Sequence, residues 1–307
     1  MNAVCPRDVI SSDDVSNLEN KVLNVFDLDC DVTNDPLSPT DPDANFFNGN
    51  YCGNDSLHCR YYTEQSFNNE VSSLNCEPGQ LSLLHSNIRS VQKNFRSLEF
   101  YLDSLNHNFD VIALTETWLN EVTLDGFNPQ HYKTENVCRS NKSGGGVSVM
   151  INESLDYKVR NDIAIMNENF ESLFVEIVKC RTGSNSNNVI VGVIYRPPNT
   201  CVQQFIENLS VVLTAIKKES KLCYILGDFN LNLLNVDCHI ATAEFLETMC
   251  AFSYLPLITK PTRVTNHSAT LIDNIFTNDK ITTNSFSGIF STDISDHFPI
   301  FYIDKTT

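Results

Sequence analysis

From about residue 80 onward the chain reads as short apolar runs, each halted by a polar side chain. Residues 223–226 (CYIL) are bounded by Gly227 and followed by Asp228 and Asn230. A run this short and apolar predicts a fully buried strand. Asp228 and Asn230 stand at i and i+2, which in extended backbone turns both to one side and Phe229 to the other. The bland alternative is an ordinary turn, since Gly, Asp and Asn favour turns. Other runs stop in the same way. Residues 81–84 predict a strand that ends at Asn87. Ser90 is placed to cap a helix carrying Phe95, Leu98, Leu102 and Leu105 at helical spacing. Residues 109–114 predict a second strand with Glu116 just past it, closing a β-α-β unit.

Strands are next predicted over 147–151, 174–178 and 189–195, the last two as neighbours across the polar loop 182–188. The third runs into Tyr195-Arg196-Pro197-Pro198, where the prolines must end the ladder. A helix over 205–218 leads to the Asp228 strand, and another is expected over 241–252. Residues 269–276 predict a strand with Asp273 in its middle. A buried carboxylate is costly unless paired, and His297, beside Asp296 and ahead of the final strand, is its natural partner. The glycine run 144–146 could form an anion nest. It lacks the Lys-Ser/Thr of a nucleotide-binding loop and precedes a strand, so a tight turn is the better reading. Segments 120–142 and 278–290 read as variable loops.

Residues 1–79 lack periodicity and are rich in Asp, Asn, Ser and Pro. They are expected to be largely disordered, with a short helix near 15–26. Of the chain's 38 acidic and 21 basic side chains, residues 1–80 hold 14 and 3, so much of the net charge of −17 belongs to that segment. Such acidity argues against a passive nucleic-acid binder, though not against an enzyme that meets a phosphodiester through a metal ion. The 11 cysteines are scattered. Cys52, His58, Cys59 and Cys76 fit no zinc-finger spacing, and Cys180, Cys223 and Cys250 lie in apolar runs as core residues. A reduced, intracellular compartment is expected. No apolar run is long enough to span a membrane, and residues 1–8 carry no secretory signal.

The strand ends thus offer Asn87, Glu116, Tyr195, Asp228, Asn230, Asp273, Asp296 and His297. These supply oxygen ligands for a hard cation and a carboxylate to activate water, with donors for phosphoryl oxygens. The ordered motifs Ser86-Asn87, Glu116-Thr-Trp118, Tyr195-Arg-Pro-Pro198, Gly227-Asp-Phe-Asn230, Leu271-Ile-Asp273 and Ser295-Asp-His297 resemble the endonuclease/exonuclease/phosphatase superfamily. The wording is most similar to the endonuclease domain of LINE-type non-LTR retrotransposons. The resemblance covers about 81–304 and implies a domain over 80–305.

It implies a DNase I-like α/β fold, a four-layered sandwich of two packed mixed sheets flanked by helices. It also implies roles. Glu116 and Asn87 would hold Mg²⁺, with Mn²⁺ as the alternative, and Asp296 would assist. Asp228 would orient or deprotonate the attacking water. Asn230, Tyr195 and His297 would contact phosphoryl oxygens, and Asp273 would hold His297. Arg89 and Arg196, next to motif residues, are expected phosphate contacts, against an equal alternative of ion pairing. The implied activity is nicking of DNA to leave a 3′-hydroxyl, in the nucleus, beside a reverse transcriptase that lies outside this chain. A fragment, a decayed copy and a host-derived gene are open origins. A phosphatase or phosphodiesterase of the same fold and a catalytically silent module are the alternatives.

Overall fold

The computed structural model describes residues 59–72, 81–139, 144–178, 188–279 and 286–304. Two mixed sheets pack face to face. The first has the order β1-β14-β15-β2-β3-β5-β4. Its strands are β1 (Arg60–Tyr62), β2 (Ser82–Asn87), β3 (Val111–Thr115), β4 (Tyr132–Val137), β5 (Val147–Asn152), β14 (Phe286–Phe290) and β15 (Ile300–Ile303). The second has the order β10-β13-β9-β8-β7-β6. It comprises β6 (Tyr157–Val159), β7 (Glu171–Ile177), β8 (Val189–Tyr195), β9 (Leu222–Asp228), β10 (Leu255–Pro256) and β13 (Asp273–Thr277). A small hairpin, β11 (Arg263–Val264) with β12 (Ala269–Thr270), stands beside them.

Period-two alternation decides which side chains meet between the sheets. Leu83, Val111, Ala113, Ile300 and Tyr302 join Val191, Val193, Tyr224 and Leu226 in one core. Their neighbours Leu84, Ile112, Leu114, Phe301 and Ile303 face the other way. There they meet helices α1 (Glu64–Ser72) and α2 (Val91–Ser104). Helices α4 (Val202–Glu219) and α5 (Ile240–Ala251) join the core through Phe205, Leu209, Phe245 and Met249, whereas α3 (Glu121–Leu124) buries nothing. The result is the expected four-layered α/β sandwich. Ser90 caps α2, accepting a hydrogen bond from the Lys93 backbone N–H at 3.4 Å.

The fold starts earlier than residue 80. β1 pairs in parallel with β14, and Phe67 of α1 is fully buried. Its ring lies 4.9 Å from that of Phe290 and 5.0 Å from that of Phe301. A three-residue strand and a nine-residue helix are too short for a periodic pattern to stand out. Phe67→Ala should cost about 3–5 kcal/mol, read as a lowered urea midpoint; an unchanged midpoint would remove α1 from the core. Segment 278–290, expected as a loop, contains β14, and 120–142 contains α3 and β4. Cys223 is buried as expected, but Cys250 is exposed on α5. The helix expected near 15–26, and Cys52, His58, Cys76 and Cys180, lie outside the described residues. No helix among the described residues is long and apolar enough to cross a membrane.

Candidate active site

Strand register assembles the site. Across β7, β8, β9 and β13, Glu171 pairs with Tyr195, Tyr195 with Asp228, and Asp228 with Asp273. Asp273 is the first residue of β13, not its middle; because β13 runs antiparallel to β9, its start lies at the edge where β8 and β9 end. From the first sheet, Asn87 ends β2 and Glu116 follows β3. The Asn87 amide joins the two sheets. Its Nδ2 donates to Glu116 Oε1 at 3.0 Å and to Asp228 Oδ2 at 2.8 Å. The 295–297 loop is tied to the same point, since Ser295 Oγ donates to the Asn87 carbonyl at 2.7 Å.

Several backbones here are held in the left-handed region, which is costly for non-glycine residues and collects at functional sites. Glu116 has φ 51°, Trp118 φ 54° and Asn230 φ 49°. The 116–118 turn is latched from both sides. Ser90 N donates to the Glu116 carbonyl and Val91 N to that of Thr117, while Trp118 N donates to Gly145 O at 2.9 Å. The triple glycine, with all three residues at positive φ, leads into β5 and supports the 116–118 segment. Gly146 has φ +86°, and a Cβ there would lie 2.6 Å from Thr117 Oγ1. Its N–H donates to the buried Glu171 carboxylate at 2.6 Å, so a protein anion takes that donor. Glu171 also pairs with Arg139.

Asp228, Asp273 and His297 form a buried charged group. His297 Nδ1 is 2.8 Å from Asp273 Oδ2, and Thr262 Oγ1 donates to the same oxygen at 2.7 Å. Burial alone would lower the His297 pKa. The charge and hydrogen bond of Asp273 outweigh it and bring the imidazole to about 9. Burial likewise works against the Asp273 carboxylate, but the His297 charge and hydrogen bond hold it below the usual range. Asp228 gives way instead, pushed up to about 7 by burial and the Asp273 charge. Tyr195 is held protonated, raised by burial and then by Glu116 and Asp228, so its hydroxyl keeps a hydrogen to donate.

Other expected residues have different partners. Arg196 was a candidate phosphate contact, but its guanidinium is buried and donates to the carbonyls of Phe229 and Asn230, each at 2.7 Å. It clamps the loop that carries Asp228. Asn230 was expected beside Asp228 on extended backbone; the chain turns there instead. Its Nδ2 donates to Arg196 O at 2.9 Å and Asp228 Oδ2 at 3.1 Å, leaving no amide hydrogen for phosphate. Arg89 is half exposed and ion-paired to Asp296 at 2.9 Å. Arg263 joins the same Asp296 oxygen at 2.8 Å, so two guanidiniums neutralise the carboxylate and only Oδ1 stays unpartnered. Three residues near the chemistry escaped the sequence reading. Glu171 looks like any strand-initiating Glu, and Arg263 lies in a polar stretch. His85 sits inside an apolar run, yet it is fully buried with Nδ1 4.0 Å from Asp273 Oδ1. Burial lowers its pKa to about 4, so it is neutral at physiological pH.

Two donor sets could hold a cation. Asn87 spends both amide hydrogens, and its Oδ1 is buried without a partner among the described residues. That orphaned oxygen and the Glu116 carboxylate suit a hard divalent ion. Asp228, Asp273 and His297 also group closely, with ligand atoms within 4.8 Å of one another. This set fits less well, because His297 is protonated near neutral pH and Asp273 Oδ2 already accepts two hydrogen bonds.

The family model described as Endonuclease/Exonuclease/phosphatase family matches residues 72–297. The chain belongs to the endonuclease/exonuclease/phosphatase family. The family assignment supports a hydrolytic enzyme acting on phosphoesters, and phosphodiester hydrolysis in general. The fold is similar to the endonuclease domain of TRAS1, a telomere-specific non-LTR retrotransposon, at TM-score 0.57 and 11% identity, covering 74% of this chain and 98% of that one. It is also similar to the AP endonuclease LMAP from Leishmania major, at TM-score 0.59 and 14% identity, covering 76% and 90%. The catalytic domain of Xenopus laevis APE2 gives TM-score 0.54 at 17% identity, covering 72% and 91%. A search of curated proteins found no match. Within the endonuclease/exonuclease/phosphatase family this chain presents its acidic and histidine cluster where the two sheets meet.

Proposed function

We propose that the chain is a Mg²⁺-dependent endonuclease that nicks DNA and leaves a 3′-hydroxyl, as the endonuclease of a non-LTR retrotransposon would. The observation that carries this reading is the Asn87 amide, which ties Glu116 of one sheet to Asp228 of the other, with the Asp273–His297 pair alongside. Glu116 and the Asn87 Oδ1 would hold the cation, which neutralises charge on the phosphoryl oxygens when bound. Asp228, poised near 7, takes the proton of the attacking water as its oxygen bonds to phosphorus and the P–O3′ bond breaks; solvent water protonates the departing oxygen to give the 3′-hydroxyl. His297, cationic and fixed by Asp273, donates to a phosphoryl oxygen, and the Tyr195 hydroxyl supplies a second donor. Asn230 and Arg196 keep the Asp228 loop in place. DNA is the partner, with a reverse transcriptase domain in the complete element, and the nucleus is the place of action.

Supercoiled plasmid with Mg²⁺ should become nicked circles that a DNA polymerase extends, and EDTA should stop the conversion. Glu116→Gln should raise the Mg²⁺ needed for half-maximal nicking by about 10–100-fold, the size of effect seen when metal-site partners are altered. Phosphate release from small esters without nicking would replace this reading with a phosphatase.

A further inference from the structure

A cleft of about 520 Å³ opens directly beside the site, and Glu116 and Tyr195 belong to both. The rest of its wall is mostly apolar, with Trp118, Met166, Pro197 and Pro198. Trp118 is 42% exposed and Met166 43%, although large apolar side chains are normally covered. The Trp118 indole is not loose. Its Nε1 donates to Glu116 Oε2 at 3.3 Å, and its backbone is latched to Gly145. A rigid aromatic face therefore stands next to the carboxylate expected to hold the cation.

The charges of the cleft select what can enter. Glu116 and Glu168 are both on its wall, and the Arg139 guanidinium is already paired to the buried Glu171. Away from the cation expected at Glu116, the wall offers a phosphate only the Glu168 charge and an Arg139 already engaged by Glu171, whereas a flat, uncharged group meets the apolar side chains. Bases stack on aromatic side chains for about 1–3 kcal/mol each, whatever their sequence. We propose that this cleft receives the unstacked base of a nucleotide flanking the scissile phosphate, with Trp118 as its stacking platform and Met166 as a further apolar wall. The assignment rests on the nuclease reading, and it makes the cleft a determinant of where the chain cuts.

The test uses end-labelled duplexes that carry each base, or an abasic nucleotide, at the positions flanking the nick. Binding is measured with Ca²⁺ in place of Mg²⁺, and nicking with Mg²⁺. Trp118→Ala should weaken binding and raise KM about tenfold, the equivalent of about 1.4 kcal/mol, and Trp118→Phe should restore most of it. The wild type should favour one base over the abasic nucleotide at one flanking position, and Trp118→Ala should lose that preference. Met166→Ala should reduce it in the same direction. Trp118→Ala with unchanged binding and unchanged preference would overturn the assignment. So would a loss confined to kcat, which would place the indole with Glu116 alone. A wild type that binds with this preference but nicks nothing would unseat the hydrolysis reading and leave the cleft standing.

Discussion

Asp228→Asn is expected to reduce nicking by about 10²–10⁴-fold while leaving the protein folded and, at alkaline pH, more stable. The first effect is the loss of a positioned general base. The second follows from the surroundings of the carboxylate. Asp228 is fully buried beside Asp273, and its pKa is pushed up to about 7 from 3.8. A folded pKa above the unfolded one contributes stability that is present below about 3.8 and is lost as pH rises through about 7. The wild type therefore carries a charge that its fold disfavours, and the amide does not. With its oxygen in the Oδ2 position, asparagine can still accept from the Asn87 and Asn230 amides, and it gives up only the Asn230 backbone N–H bond to Oδ1, a smaller loss than the relief of the buried charge. Urea denaturation in EDTA at pH 8 should place the Asp228→Asn midpoint above that of the wild type. A lower midpoint would show that the carboxylate is better solvated than its burial states, and near-normal nicking would move the base elsewhere.

Asp273→Ala should be costly in both respects. It leaves His297 in a buried position without its carboxylate, and breaking one side of such a pair costs about 3–5 kcal/mol. The loss should depend on pH. The His297 pKa is raised to about 9 from 6.5, so its share of stability is complete below 6.5 and disappears as pH rises through 9. The Asp273 pKa is lowered from 3.8, so its share is complete above 3.8 and disappears as pH falls through its depressed value. The gap between wild type and variant should be widest between about pH 4 and 6.5 and narrow above 9. Denaturation midpoints across that range measure it. A gap that does not change with pH would mean that the variant suffers from a cavity and not from a lost ion pair. Nicking should fall by about 10²–10³-fold, as when a positioned donor to the developing charge is removed.

Much of this site could be read from the places where apolar runs stop. Asn87, Glu116, Tyr195 and Asp228 each sit at or just past the end of a buried strand, and strand ends of open sheets are where ligands bind. The Asp273–His297 pair followed from the cost of an unpaired buried charge. What failed was local. Arg196 stands next to Tyr195, but its direction is set by the loop it clamps, and no sequence spacing encodes that. Asn230 turns into the left-handed region, so an i, i+2 argument from extended backbone does not hold there. β4 (YKTENV) has no buried residue, and its composition resembles a loop. β14 (FSGIF) is interrupted by Gly288, which reads as a turn residue. The structure gives another reason for that glycine, because a Cβ would come within 2.5 Å of the Tyr62 ring. That ring belongs to β1, the strand whose presence was not foreseen.

Trp118 is the chain's single tryptophan. Ultraviolet emission excited at the red edge, beyond tyrosine absorption, therefore comes from one indole, and that indole lines the cleft shared with Glu116 and Tyr195. The protein is its own optical probe. Under the proposed function, cation loading at Glu116, arrival of an oligonucleotide and departure of the cut product should each change this emission, and each can be followed on the unlabelled chain in a stopped-flow instrument, without a dye near the site.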